Sequence, residues 1–433
     1  MTIINNKRLA AEIKPPYSVQ QIRKITEFLE QKGTLTFSRL SNGLFPAAAI
    51  QKNKSYTGYS YVWVRDNIHI AHAHYAVGFV EKARKTVRTL MEYFIKYRER
   101  FLDIIEGKED PAIAINRPHV RFEGETLEEV NEKWAHAQND ALGYFLWLYC
   151  KLVNEGQLSP TQVELNMLAM FPHYFQAIQY WKDEDSGHWE EKRKISASSI
   201  GVVVAGLQEL EKLISGRLRV GKQNDTLTTE FVKSLAKRGA AALELILPAE
   251  CVQPELAKHR PYDGALLFLI YPLQVVQGEM AEKILGNVAE HLQGEYGIRR
   301  YLGDSYWAPD YKDKLEPAKR TVDFSDDMAH RDQFLPTLGQ EAQWCIFDPI
   351  ISCIYGKRFK VDGTKESLED QAKYLNRSLG QITQENCQQA PAFRCPELYY
   401  LEHGIYVPND HIPLLWTQAN LMLGLKMMEE SCT

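Results

Sequence analysis

The 433 residues are 45% hydrophobic and 25% charged, ordinary values that exclude a mainly disordered or collagen-like chain. Lys and Arg number 51 against 56 Asp and Glu, a formal charge of −5, so no basic excess exists to neutralise a nucleic-acid backbone. No apolar run reaches 18 residues, so no membrane-spanning helix is expected.

Along the chain, 1–18 has neither an apolar h-region nor a cleavage site. Val19, Ile22, Ile25, Phe28 and Leu29 then recur at helical spacing. Further helical segments are predicted at about 66–80, 81–105, 126–154, 160–182, 196–215, 227–247, 261–272, 276–293, 339–356, 364–382 and 412–429. Strand signals are few and short. No low-complexity linker divides the chain, and the polar break near 216–227 is no convincing boundary. About twelve helices without a linker suggest a single all-α domain. A closed toroid of six helical hairpins fits the count, as do other α-folds. The turn-rich stretch 297–335 is long enough to be a functional loop. Seven scattered Cys show no CxxC or Cys/His metal spacing and are expected to be reduced thiols in a cytoplasmic protein.

Five segments concentrate chemistry. Tyr59–Asn67 places aromatics, Arg65 and Asp66 before a helix that Asp66 or Asn67 could cap. An Arg–Asp pair suits adjacent sugar hydroxyls, and suits a structural ion pair equally. Trp134, His136, Gln138 and Asp140 form a polar entry to an apolar helix, with His136 and Asp140 spaced to pair on one face. Trp189, Glu190 and Glu191 set adjacent carboxyls beside an indole, where burial and repulsion would raise a carboxyl pKa. Such a group can serve as a general acid, although Lys192 and Arg193 also allow a solvated turn. Arg300, Tyr301, Asp304, Tyr306 and Trp307 repeat the Arg–Asp–aromatic mixture. Glu397 or Glu402 could supply a second carboxylate before a last helix with Pro413 near its start. No phosphate-binding glycine loop, dinucleotide fingerprint, HExxH or GxSxG is present. Two carboxylates, Arg–Asp pairs and aromatics are the equipment of a glycoside hydrolase.

Taken together and in order, the segments resemble the glucoamylase-like family, glycoside hydrolase family 15, which includes the α and β regulatory subunits of phosphorylase kinase. YVWVRDN (61–67), WAHAQNDALGYFLWLY (134–149), HWEE (188–191), GIRRYLGDSYW (297–307), CPELYY (395–400) and HIPLLWTQANLML carry the resemblance. It implies an (α/α)6 barrel over 1–433 and inverting hydrolysis of α-glucosidic bonds in an α-glucan or α-glucoside. No separate N-terminal β-sandwich or starch-binding module is expected. Residue by residue it implies Glu190 as general acid and Glu397 as general base, with Glu402 as the rival. Trp63, Arg65, Asp66, Trp134, Trp189, Glu191 and Arg300 would contact sugar. No metal or cofactor is called for, no nucleic acid or membrane is implied, and no protein partner can be named. ISASSIGVVVAGLQEL and PELYY look closer to the kinase-subunit branch, so a non-catalytic glucan-binding or regulatory protein is the alternative. A related phosphorylase, using one acid and a phosphate, is a third expectation.

Overall fold

The computed structural model describes residues 3–49, 58–216, 227–320, 325, 332–333 and 338–433. Twelve helices build the barrel: α1 (Val19–Gln31), α2 (Val64–Ala76), α3 (Val80–Lys96), α4 (Asn139–Asn154), α5 (Gln162–Ala177), α6 (Ala197–Ser215), α7 (Thr229–Ile246), α8 (Leu267–Ile270), α9 (Gly278–Asn287), α10 (Asp348–Asp362), α11 (Lys365–Gly380) and α12 (Leu415–Ser431). The even-numbered helices form an inner ring, each packed on the next, with α12 closing onto α2. Each odd-numbered helix backs an inner one, α1 lying outside α12. This is an (α/α)6 barrel. Composition sorts the two rings. α4 is buried on nearly every side, as a helix apolar all round must be. α1 buries only the Ile22, Ile25 and Leu29 stripe and starts from a Ser18–Gln21 capping box.

Close approach fixes the α4–α6 contact. A Cβ at Gly143 would lie 2.8 Å from the backbone nitrogen of Val203, and one at Gly206 would lie 2.8 Å from the Gly143 carbonyl oxygen.

Two small antiparallel sheets sit at the N-terminal ends of the inner helices. β1 (Val62–Trp63), β2 (Arg121–Glu123) and β3 (Glu128–Glu129) form one, and β4 (Gln343–Trp344), β5 (Leu398–Glu402) and β6 (Ile405–Pro408) the other. The β5–β6 turn uses His403 and Gly404, both at positive φ, as a tight hairpin turn requires.

Several local expectations are corrected. Residues 126–138 are not helical, because Glu128 and Glu129 pair with Glu123 and Phe122. Residues 339–347 carry β4, and α10 begins only at Asp348, with a proline in its first turn. The segment 81–105 breaks after Lys96 and resumes as Glu99–Ile105. Pro413 precedes the N-cap Leu414 and is not the first helical residue. Neither Asp66 nor Asn67 caps α2: Asn67 is inside the helix and donates to the Phe45 and Trp63 carbonyls. His136 does not pair with Asp140. It stacks on His119 at 3.7 Å, because the helix begins three residues later. Parts of the breaks expected at 216–227 and 297–335 lie outside the described residues. No disulfide joins the seven Cys. Among the described residues, no helix is long and apolar enough to cross a membrane.

Candidate active site

The inner helices run parallel, so their N-terminal ends and the loops feeding them gather at one mouth. Those ends carry partial positive charge, which favours carboxylates. Asp66, Asp140 and Asp348 stand in the first turns of α2, α4 and α10. More caps arrive from distant loops. Asp185 Oδ2 accepts from the Asn139 N–H at 3.0 Å. Glu250 accepts from the Ser198 N–H at 3.0 Å and its hydroxyl at 2.6 Å. Burial outweighs these hydrogen bonds: it raises Asp185 to about 7 and, with Asp263 adding, Glu250 to about 8.

One wall of the mouth is built on Glu190. This residue ends the short turn Gly187–Trp189 in the left-handed conformation, φ 52° and ψ 46°, which costs a non-glycine roughly 1–2 kcal/mol. Its neighbours hold it there. The Trp189 indole N–H donates to Asp263 at 2.9 Å. Glu191 accepts from Arg260 at 3.0 Å, Arg300 at 3.3 Å and the Tyr301 hydroxyl at 2.5 Å. Glu190 itself, 21% exposed, pairs with Arg65. Arg65 is buried, and it also donates to Asp140 at 2.8 Å and Gln138 at 3.0 Å. Burial raises Glu190 to about 7. Arg65 opposes that rise, while Asp140 and Asp66 add to it.

A second part of the mouth is built on Glu397, just before β5. Its Oε1 accepts from the Tyr59 hydroxyl at 2.6 Å. Its Oε2 takes the Asn409 amide and lies 2.9 Å from His411 Nδ1. Tyr59 stacks on His411 at 3.6 Å and meets the Tyr306 hydroxyl at 2.8 Å. Three short-range contacts thus fix the orientation of Glu397. Asp66 couples the walls: burial raises it to about 6 against Arg65, and the charge of Glu397 pushes it further up.

The other expected residues fall around these walls. Trp63 meets Trp134 edge-on at 6.1 Å and Tyr59 at 5.7 Å. Trp134 is half-buried beneath the Arg121 guanidinium, 3.5 Å from its ring. Arg300 is clamped by Asp304 at 2.7 Å and lies over Trp344 at 4.7 Å. Glu191 has no exposed surface, so its oxygens serve Arg260, Arg300 and Tyr301. Glu402 stands apart at the end of β5, bound to the Tyr400 hydroxyl and 3.7 Å from Lys312. Sequence reasoning missed Arg121, Asp263, Asn409 and the partnership of His411 with Glu397. A lone Arg in a strand and a His before a helix give no signal until the chain folds. Among the described residues, Asp310, Asp313 and His403 have metal-ligand reach, but they are on the surface and mostly exposed, where such clusters are common without an ion.

The model for glycosyl hydrolases family 15 matches residues 31–239. The skeletal muscle isoform of the phosphorylase b kinase regulatory subunit alpha from Oryctolagus cuniculus is 24% identical over 434 residues, covering 93% of this chain and 32% of the relative. Over residues 31–239 the chain is similar to the glucoamylase-like family. Among solved structures, a wild-type glycosidase superposes with a TM-score of 0.64 at 16% identity, over 95% of this chain and 97% of that one. The glucoamylase of Saccharomycopsis fibuligera gives 0.61 at 12%, over 97% and 98%. At those identities the likeness is one of fold. This glucoamylase-like chain spans about a third of the length of the curated kinase subunit it matches.

Proposed function

We propose that this chain is an inverting glycoside hydrolase that releases glucose from α-glucosides or the ends of an α-glucan. The observation that carries the reading is the difference between the two carboxyl environments. Glu190 is raised to about 7, so roughly half of it is protonated at neutral pH, the state a general acid needs. Glu397 accepts from a phenol and an amide, donors that fix its orientation. Glu190 would donate a proton to the glycosidic oxygen as the bond to the anomeric carbon breaks. Glu397 would take a proton from a water that attacks the opposite face. Inversion needs room for that water, a carboxyl separation of about 6.5–9.5 Å. Arg65 and Asp66 would hold the glucose hydroxyls, with Trp63 and Trp134 as apolar walls. Trp189, Glu191 and Arg300 keep the acid in place. Glu402, engaged elsewhere, is the weaker choice for base.

A second reading is a glucan-binding regulatory module. Its support is the curated relative, named a regulatory subunit. Glucose release from maltose, maltotriose, isomaltose and glycogen separates the two. Release as the β-anomer, lost in Glu190→Gln and Glu397→Gln, supports the hydrolase. Glucan binding with no release from any substrate supports the module.

A further inference from the structure

The far end of the barrel holds a second site. Inner helices that open at the mouth carry other chemistry about two to four turns on. α2 leads from Asp66 to His72, α4 from Asp140 to Trp147 and Lys151, and α12 from Trp416 to Lys426 and Glu430. At 1.5 Å per residue, Lys151 lies roughly 16 Å along the axis from Asp140. Stacked rings fill the space between. His69 packs on Trp416 at 4.6 Å, Tyr144 at 4.8 Å and Phe268 at 4.9 Å.

Below that plug is a cavity of about 190 Å³, lined by His72, Trp147, Lys151, Lys357, Lys426 and Glu430, with Tyr271 on its wall. At about 30 Å³ per water it has space for roughly six waters. Three ammonium groups border it against one carboxylate. Lys151 also pairs with Glu155, and Lys426 lies 3.6 Å from Glu430 and 3.7 Å from Glu429. Lys357 has no ion-pair partner among the described residues. Lysines near helix C-termini offset the helix dipole, which accounts for their sign. It does not account for His72. That ring is 7% exposed, and its Nδ1 has no hydrogen-bond partner. Burial holds it neutral, with Lys151 and Lys357 adding to the effect, so the field at the cavity is positive. Three ammonium groups around one cavity, one of them without an ion-pair partner among the described residues, are what a small dianion would neutralise.

We propose that this cavity binds a phosphate-class dianion, held by Lys151, Lys357 and Lys426, with the Trp147 and Tyr271 rings able to take a sugar carried on the phosphoryl group. The site is separate from the carboxylate mouth and stands whether or not the mouth is catalytic.

The test is calorimetric titration of the full chain at low ionic strength with inorganic phosphate, glucose 6-phosphate and glucose. Phosphate should bind once per chain, and Lys357→Met with Lys426→Met should weaken it at least tenfold. Glu190→Gln should leave it unchanged. Tighter binding of glucose 6-phosphate than of phosphate would show that the rings engage a sugar; equal binding would make free phosphate the ligand. Because Lys357 is exposed, its single substitution should fold, and Lys357→Arg should restore affinity. No phosphate binding, binding unaltered by the lysine changes, binding lost with Glu190→Gln, or displacement of phosphate by glucose would each overturn the proposal.

Discussion

The two ends of this barrel are made from the same helices and carry opposite chemistry. The mouth collects carboxylates, Asp66 and Asp140 in the first turns of helices and Glu190 and Glu397 in the loops beside them. The far end collects Lys151 in the last turn of α4 and Lys357 and Lys426 in the turn before the last of α10 and α12. Helix polarity makes each sign welcome where it stands. The ends differ more in how firmly their groups are held. At the mouth, Glu397 and Glu191 are each bonded to several fixed donors. At the far end His72 Nδ1 has no partner and Lys357 no counter-ion among the described residues. A site that must aim a proton is preorganised by neighbours. A site that only receives charge can wait for its ligand.

The sharpest test of that contrast acts on the mouth. Glu190→Gln should lower glucose release by about 10²–10⁴-fold, the usual worth of a general acid, and Glu397→Gln by a similar factor. Neither should change phosphate affinity at the far end. Steady-state kinetics beside calorimetry would check both.

A change that joins the ends should harm them together. Gly143→Ala puts a Cβ 2.8 Å from the Val203 nitrogen and 2.9 Å from the Val202 carbonyl carbon, both backbone atoms that cannot turn aside. Overpacking of that kind costs about 1–3 kcal/mol. α4 carries Asp140 at one end and Lys151 at the other, so urea unfolding should show the loss and both sites should weaken.

Stability against pH sharpens the contrast further. Glu190, Asp185 and Glu250 have folded-state pKa values raised to about 7, 7 and 8. The folded state therefore binds more protons there than the unfolded chain, and these groups gain stability as pH falls from about 8. The histidines act oppositely. Burial lowers His72 to about 3 and His188 to about 4, so they lose stability as pH falls below the ordinary histidine value near 6.5. The melting temperature should rise from pH 8 to about 6.5 and fall below it. A steady rise down to pH 5 would show that the carboxyls dominate throughout.

The smallest expected effect is at the rim. Arg121→Ala removes a buried cation over Trp134, an interaction worth about 2 kcal/mol when desolvated, and its pair with Glu132. Maltose affinity should weaken by a few-fold at most, with the maximal rate and the far-end site unchanged.

Much of this was readable along the chain because the relevant signals are local. The 3.6-residue repeat marks α1, and the near-continuous apolar run of α4 marks a buried helix. The dense segments at 59–67, 134–140, 188–191, 297–307 and 395–400 each hold residues that line one mouth in the fold. What failed was also local. Helix starts were misplaced at 126–138 and 339–347, where short apolar and acidic runs pair as strands only because β2 and β5 lie beside them. The helix caps could not be foreseen either: Glu250 caps α6 from 52 residues away.

The sequence by itself determined the helical hairpins, the candidate carboxylates and the family they resemble, since periodicity and motif order survive without contacts. Tertiary structure alone decided which carboxyl is raised, that Glu397 and not Glu402 meets Tyr59 and His411, and that three lysines far apart in sequence border one cavity. Those outcomes depend on burial and on distances between groups hundreds of residues apart. Both exist only once the ring has closed and water has been excluded from its axis.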